Sequence, residues 1–188
     1  HPTLYFFNGI ANIQLQNYDK AIKSLLSGKE MVFDNAQLQA EFYQYLGDAY
    51  HAKKEHLKSD ESYDKSLEFN PYNPYVLNNY SYFLCLRKQQ LIKAQEMAKR
   101  LIQKYPKNAT YLDTYGWVLF TIKEYEEAEI YLKKAVTVNL KICKNDTIGI
   151  IGESGQGKTT LINILIGLLK PISGEILLDT KNINLNNR

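Results

Sequence analysis

Nine consecutive residues, Gly152, Glu153, Ser154, Gly155, Gln156, Gly157, Lys158, Thr159 and Thr160, have types and spacing that chemistry can use directly. They fit the phosphate-binding pattern Gly-x4-Gly-Lys-[Ser/Thr] at every required position. Such a loop aims several backbone N–H groups at one point, where a following helix dipole also favours an anion. Glycine is needed at Gly152, Gly155 and Gly157, because a side chain would forbid the backbone angles or block the phosphates. Lys158 would neutralise the terminal phosphates of a nucleotide, and Thr159 would give its hydroxyl to Mg²⁺.

The chemistry depends on the elements on either side. The apolar run Thr147-Ile148-Gly149-Ile150-Ile151 reads as a buried strand, and an apolar helix over about 158–169 follows the loop. A glycine-rich turn that merely imitates the pattern would lack both. Upstream, Val138 to Ile142 alternates like a half-buried strand and Lys144-Asn145-Asp146 reads as a turn. Downstream, Lys170-Pro171-Ile172-Ser173-Gly174 stops the helix, and Glu175-Ile176-Leu177-Leu178-Asp179 reads as another strand.

Before residue 137 the chain repeats itself. Gly9, Gly47, Tyr82 and Gly116 recur at steps of 34 to 38 residues. Small or apolar residues follow them: Ala21 and Leu25, Ala94 and Ala98, and Ala128 and Leu132 at twelve and sixteen residues, with Tyr63 and Leu67 sixteen and twenty after Gly47. Each unit reads as two amphipathic helices, the last as 111–121 and 124–136, with turns at Asn17, at Pro71 and Pro74, and at Pro106-Lys107-Asn108. One helix pair cannot bury its apolar face alone, so stacking of neighbours must provide the core. Fifteen tyrosines against one tryptophan suit half-exposed seams between such helices.

Composition narrows the partners. The hydrophobic fraction of 45% and charged fraction of 23% are those of a globular protein of one or two domains. A net charge of +3, with bases scattered among acids, gives no footprint for nucleic acid or an anionic membrane. The longest apolar run, Leu161 to Leu169, is about half of what a membrane span of ~18 residues needs. No signal peptide is visible in a sequence that opens on His1 rather than methionine. Cys85 and Cys143 make no metal or redox spacing and read as two reduced thiols. His51 and His56, five apart, would not share one helical face, which argues against a metal site. The glycosylation patterns Asn108-Ala109-Thr110 and Asn145-Asp146-Thr147 read as idle in a cytosolic, nucleotide-binding context.

At Gly47 with Tyr50, Gly116 with Leu119, Ala94, Ala128, Pro71 and Pro106, residues 1–136 resemble the tetratricopeptide repeat family, with about four repeats. The tryptophan usual near the start of each unit is replaced by Tyr5, Tyr43, Asn78 and Leu112, and Ser59 and Ser66 stand where alanines are usual. The resemblance implies a groove lined by the first helices that holds a protein or peptide partner. It puts Gln44, Asp48, Asn79, Phe83, Asp113 and Trp117 on that surface. The family variant that clamps a C-terminal carboxylate uses basic residues there, and the acids Asp48 and Asp113 oppose such a ligand. Phe83 and Trp117 are either anchors for an apolar ligand or packing against a neighbouring helix.

Residues 137–188 resemble the beginning of an ABC transporter ATP-binding domain. The stretches that carry the likeness are Ser154-Gly155-Gln156-Gly157-Lys158-Thr159-Thr160-Leu161, Gly167-Leu168-Leu169-Lys170-Pro171 and Ser173-Gly174-Glu175-Ile176. The expected fold is therefore mainly α, a helix-turn-helix solenoid followed by a truncated α/β phosphate-loop segment. ATP and Mg²⁺ are the implied cofactors, and a transporter membrane subunit is an implied partner of an intact parent. The family's signature motif, Walker B acid, glutamine loop and switch histidine are not found in these residues. Without those carboxylates nothing completes the metal shell or positions the attacking water, so no ATP hydrolysis is expected of this chain alone. The readings left open are a repeat scaffold carrying an incomplete ATP-binding element, a piece of a transporter ATPase with a fused repeat region, and a chimeric product whose halves share no function. The abrupt passage from Ala135 into Val138 is what the third rests on. The cytoplasm is the expected location, because a working ATP-binding cassette must face it.

Overall fold

The computed structural model describes residues 1–135, 177–178 and 181–182. Among them are eight helices: α1 Pro2–Gln14, α2 Tyr18–Lys29, α3 Ala36–Ala52, α4 His56–Phe69, α5 Pro74–Arg87, α6 Leu91–Lys104, α7 Ala109–Thr121 and α8 Tyr125–Ala135. They pack as four hairpins, α1 with α2, α3 with α4, α5 with α6 and α7 with α8, and neighbouring hairpins stack through α2–α3 and α6–α7. The chain divides into two units, His1–Val136 and Thr137–Arg188. In the second, β1 (Leu177–Leu178) pairs antiparallel with β2 (Lys181–Asn182), Leu177 opposite Asn182 and Leu178 opposite Lys181. The expected strand at 175–179 is thus described at its centre. The expected strands at 138–142 and 147–151, and the helix at 158–169, lie outside the described residues.

Two local devices recur in every repeat. The turn inside each hairpin places a non-glycine residue in the left-handed region: Gln16 (φ 59°), Lys54 (62°), Lys88 (54°, with Gln90 at 45° in the same turn) and Lys123 (72°). The next residue's N–H then reaches back five positions to a helix carbonyl: Asn17 to Asn12, Glu55 to Tyr50, Gln89 to Leu84 and Glu124 to Leu119, at 2.8–3.0 Å. This closure satisfies carbonyls that a helix end would leave bare. Between hairpins, an asparagine caps the next helix: Asn35 Oδ1 accepts from Leu38 N (2.9 Å), Asn73 Oδ1 from Tyr75 N (3.1 Å) and Asn108 Oδ1 from Tyr111 N (3.2 Å). Pro74 follows its cap at the first helical position, where its missing N–H costs nothing. Asn108, read above as part of a glycosylation pattern, is thus a helix cap. The last pair begins two residues earlier than the periodicity predicts and its second helix one residue later.

Within hairpins, glycine permits the close approach. A Cβ on Gly47 would lie 2.5 Å from Tyr63 Cε1, and one on Gly116 would lie 2.7 Å from Leu132 Cγ. Ser59 and Ser66 do more than replace alanine. Ser59 Oγ donates to Gly47 O (2.9 Å) and Ser66 Oγ to Ala40 O (2.8 Å), tying α4 to the backbone of α3. The tyrosines also go deeper than half-exposed seams, since Tyr63 and Tyr80 are fully buried.

The apolar core divides in two. Phe6, Ile22, Leu25, Val32, Phe42, Leu46 and Ala49 form one cluster across α1–α3. Tyr63, Tyr80, Leu84, Met97, Leu101, Val118, Leu119 and their neighbours form the other across α4–α8. Along the seam of α3 with α5, polar side chains meet: Asn73 Nδ2, just before α5, donates to Gln44 Oε1 (2.8 Å), and Tyr75 Oη to Asp48 Oδ2 (3.1 Å). Within the second cluster's helices, Arg87 of α5 pairs with Asp60 of α4 (2.6 Å). No helix among the described residues is long and apolar enough to cross a membrane.

Candidate functional site

The polar seam opens on a groove of about 330 Å³ formed by α1, α3 and α5 and lined by Ile10, Ile13, Gln14, Tyr45, Asp48, His51, Tyr75, Asn79 and Phe83. Helix periodicity explains the lining. Tyr45, Asp48 and His51 lie at three-residue steps on α3, and Tyr75, Asn79 and Phe83 at four-residue steps on α5, one face of each helix. Three of the six residues expected on the partner surface, Asp48, Asn79 and Phe83, therefore converge here. Gln44 stands one turn before Asp48, held by Asn73. Asp113 and Trp117 are exposed on α7 and do not line this groove. Trp117 stacks on Phe120 at 5.7 Å between ring centroids, within α7.

Asp48 is the chemical centre of the groove. Its Oδ1 accepts from Tyr63 Oη at 2.6 Å and its Oδ2 from Tyr75 Oη at 3.1 Å. No cation lies within ion-pair distance of it among the described residues. Burial raises its carboxyl from the usual 3.8 to about 6, and the two hydroxyl hydrogen bonds offset only part of that rise. The same burial, with the Asp48 charge beside it, pushes the Tyr63 and Tyr75 hydroxyls well above their ordinary value.

A pH dependence follows. Because the folded pKa of Asp48 exceeds the unfolded one, the native state binds its proton more tightly between roughly pH 4 and 6. This group therefore favours folding below about pH 4 and loses that advantage as pH rises through about 6, by up to about 3 kcal/mol. Asp48→Asn, whose amide can still meet both hydroxyls, should gain on the wild type by about 1–3 kcal/mol between pH 4.5 and 7.5. Urea unfolding at the two pH values measures the gap, and a gap that does not change with pH would contradict the assignment.

His51 closes the far end of the groove. Its ring stacks on Phe83 with centroids 3.5 Å apart and 10° between planes, and its Nδ1 is buried without a hydrogen-bond partner. Burial, then the nearby His56 and Arg87, lower its pKa, so the ring is neutral at pH 7. His56 lies 5.8 Å from it, ring to ring. The sequence reading treated the pair as residues of one helix. They belong to two, His51 near the end of α3 and His56 opening α4, and the turn at Lys53–Glu55 folds them together. No group of three potential metal ligands occurs among the described residues. Cys85 is buried, and burial pushes its thiol up to about 11, which leaves it unreactive.

Comparison with known proteins decides what this scaffold is. The tetratricopeptide repeat family matches residues 40–73 and 109–141 in one description and 62–96 in another, and the ABC transporter family matches residues 136–188. This chain joins tetratricopeptide repeats to an ABC transporter segment. The repeat array superimposes on the crystal structure of MamA with a TM-score of 0.63 at 18% identity, over 72% of this chain and 77% of that one. It also superimposes on PilF of Pseudomonas aeruginosa with a TM-score of 0.62 at 26% identity, over 72% of this chain and 60% of that one.

Relatives by sequence are ABC proteins. ABC transporter F family member 5 of Arabidopsis thaliana is 32% identical over 101 residues, 52% of this chain and 14% of its own length. The energy-coupling factor transporter ATP-binding protein EcfA2 of Clostridioides difficile is 47% identical over 66 residues, 33% of this chain and 23% of its own length. The chain thus spans between about a seventh and a quarter of these two relatives. The phosphate loop Gly152–Thr160 falls within the ABC match but outside the described residues. Its donor set, glycine amides with Lys158 and the Thr159 hydroxyl, suits a magnesium-bound triphosphate by chemistry.

Proposed function

We propose that residues 1–136 are a scaffold that holds a partner protein in the α1–α3–α5 groove, and that residues 137–188 carry an ATP-binding element that does not hydrolyse ATP on its own. The observation that carries the first part is the convergence of Asp48, Asn79 and Phe83 with Tyr45, Tyr75 and His51 on one concave lining. Bound ATP with Mg²⁺ would bring a triphosphate whose charge must be neutralised. In this chain Lys158 would do so, Thr159 would hold the metal, and the amides of Gly152–Gly157 would cradle the phosphates. Neither a Walker B carboxylate nor a signature motif accompanies them in these residues, so the element binds without positioning water. The cytoplasm, where ATP is held, is the compartment consistent with this reading. A second reading, that the chain is part of a transporter ATPase docked on a membrane subunit, draws on the 47% identity to EcfA2.

The test is equilibrium binding of a fluorescent ATP analogue with Mg²⁺, wild type against Lys158→Ala. Losing a charged hydrogen-bond donor of about 1.5–3 kcal/mol should weaken binding by roughly 10- to 100-fold. Phosphate release should stay at background in both proteins. The thermal midpoint of the helical signal should not move, because both apolar clusters of the repeats lie between Phe6 and Ala128. Equal binding by the two proteins, or steady phosphate release from the wild type, would overturn the nucleotide half of the proposal.

A further inference from the structure

Resting on the partner-binding reading above, we propose that the α1–α3–α5 groove takes a lysine or arginine side chain of a partner polypeptide, its charge set on Asp48 and its methylene stem against Ile13 and Phe83. The charge distribution points this way. The lining holds one carboxylate and no lysine or arginine. The only other titratable side chain there that can become a cation, His51, is kept neutral by burial and by His56 and Arg87 behind it. Elsewhere in the array, a buried acid, Asp60, and a half-exposed one, Asp64, already have cations. Asp60 pairs with Arg87 at 2.6 Å and Asp64 with Lys93 at 2.6 Å. The Asp64 case shows what the array does with such a constellation when it supplies the cation itself. Lys93 Nζ sits on the carboxylate, bonds Tyr80 Oη at 3.1 Å and lies over the Tyr80 ring at 4.8 Å from its centroid. At Asp48 the carboxylate and the tyrosines Tyr45 and Tyr75 are present and the cation is not.

A carboxylate accepts about four hydrogen bonds, and Asp48 receives two, both from neutral hydroxyls. It therefore has capacity for an ammonium or guanidinium, which would also gain from the aromatic faces. An anionic ligand finds no counter-charge in this lining. A purely apolar side chain would strip remaining water from Asp48 without compensation, which is unfavourable. Ile13 and Phe83 suit the aliphatic stem of a long basic side chain, which packs along apolar surface while its head stays polar.

The test uses the full chain and three pools of acetylated, amidated nonapeptides that differ only in a fixed central lysine, norleucine or glutamate. Binding is followed by the NMR shift of the Asn79 side-chain amide, which lines the groove. The lysine pool should half-saturate at a concentration at least about tenfold below the norleucine pool, the loss of one charged contact of about 1.5 kcal/mol, and the glutamate pool should not bind. Asp48→Asn should bring the lysine pool to the norleucine level. Equal binding of lysine and norleucine by the wild type, or a lysine preference that survives Asp48→Asn, overturns the proposal and leaves the groove reading standing. If no pool moves the Asn79 amide while the helical signal is intact, both fall. The wild-type comparison of lysine with norleucine decides the matter even where the variant fails to fold.

Discussion

Arg87→Ala should destabilise the repeat array by about 3–5 kcal/mol, although neither Arg87 nor its partner belongs to an apolar cluster. Arg87 ends α5 and reaches across to α4, where Nη2 donates to both carboxylate oxygens of Asp60 at 2.6 and 2.8 Å. Nη1 donates toward His56 Nδ1 at 3.3 Å, and Nε toward Gln89 Oε1 at 3.2 Å. The two side chains of the pair are only 13% and 12% exposed, so water screens the attraction weakly and could not rescue a lone carboxylate. Removing Arg87 leaves Asp60 desolvated and unpaired, which is the costly half of a buried ion pair. The pair itself need not be worth that much, because burying two charges consumes most of what their attraction returns. The double variant Asp60→Leu with Arg87→Met should therefore recover most of the loss. Urea unfolding followed at the helical band measures both. A single-variant loss under 1 kcal/mol would mean that water reaches Asp60 after all, and the seam between α4 and α5 would have to be regarded as wet.

That seam also marks the line between what the sequence announced and what it concealed. Gly47 and Gly116, with Ala94 and Ala128 opposite other helices, are visible as repeats because helix–helix contact distance tolerates few residue types. Four helix pairs follow from them, as does the division near residue 136. The turns at Pro71 with Pro74 and at Pro106 are local chemistry and are legible for the same reason, whereas the asparagine caps Asn35, Asn73 and Asn108 were not read as caps. The left-handed conformation inside the intrahairpin turns was not legible, since Gln16, Lys54, Lys88 and Lys123 occupy positions where glycine would be the expected signal. Nor was the serine pair, because Ser59 and Ser66 look like tolerated alanine substitutes until their carbonyl partners on α3 are known. Half of the residues read for the partner surface, Asp48, Asn79 and Phe83, line one groove. Counting positions by repeat assumes that each first helix presents its face equally. This groove forms where Asn73 and Tyr75 meet Gln44 and Asp48 across 27 to 29 residues of chain. His51 was set aside for its spacing from His56, a criterion that fails when a turn lies between the two. The phosphate loop was the most legible feature of all, as a pattern that tolerates almost no variation.

Tyr63→Ala is expected to cost about 3–5 kcal/mol, the range for deleting a large, fully buried aromatic. The ring fills the space that Gly47 leaves on α3, packs 5.2 Å from the Tyr80 ring, and sends its hydroxyl to Asp48. Tyr63→Phe removes the hydroxyl alone, and should cost about 1–3 kcal/mol as a charged hydrogen bond left with one partner. The difference between the two variants is then the packing of the ring against Gly47. Gly47→Leu tests the same contact from the other side. Its Cβ would stand within 2.6 Å of two Tyr63 ring atoms, and overpacking of this kind costs about 1–3 kcal/mol or more. If ring and glycine are matched, the two lesions should compensate. Gly47→Leu with Tyr63→Ala places the new side chain in the space the ring vacates, and should be more stable than the sum of the single losses predicts by at least about 1 kcal/mol. Additive losses would show that the Gly47 backbone yields to a side chain without the ring's help. The close approach of α3 and α4 would then rest on the Ser59 and Ser66 hydrogen bonds rather than on the glycine.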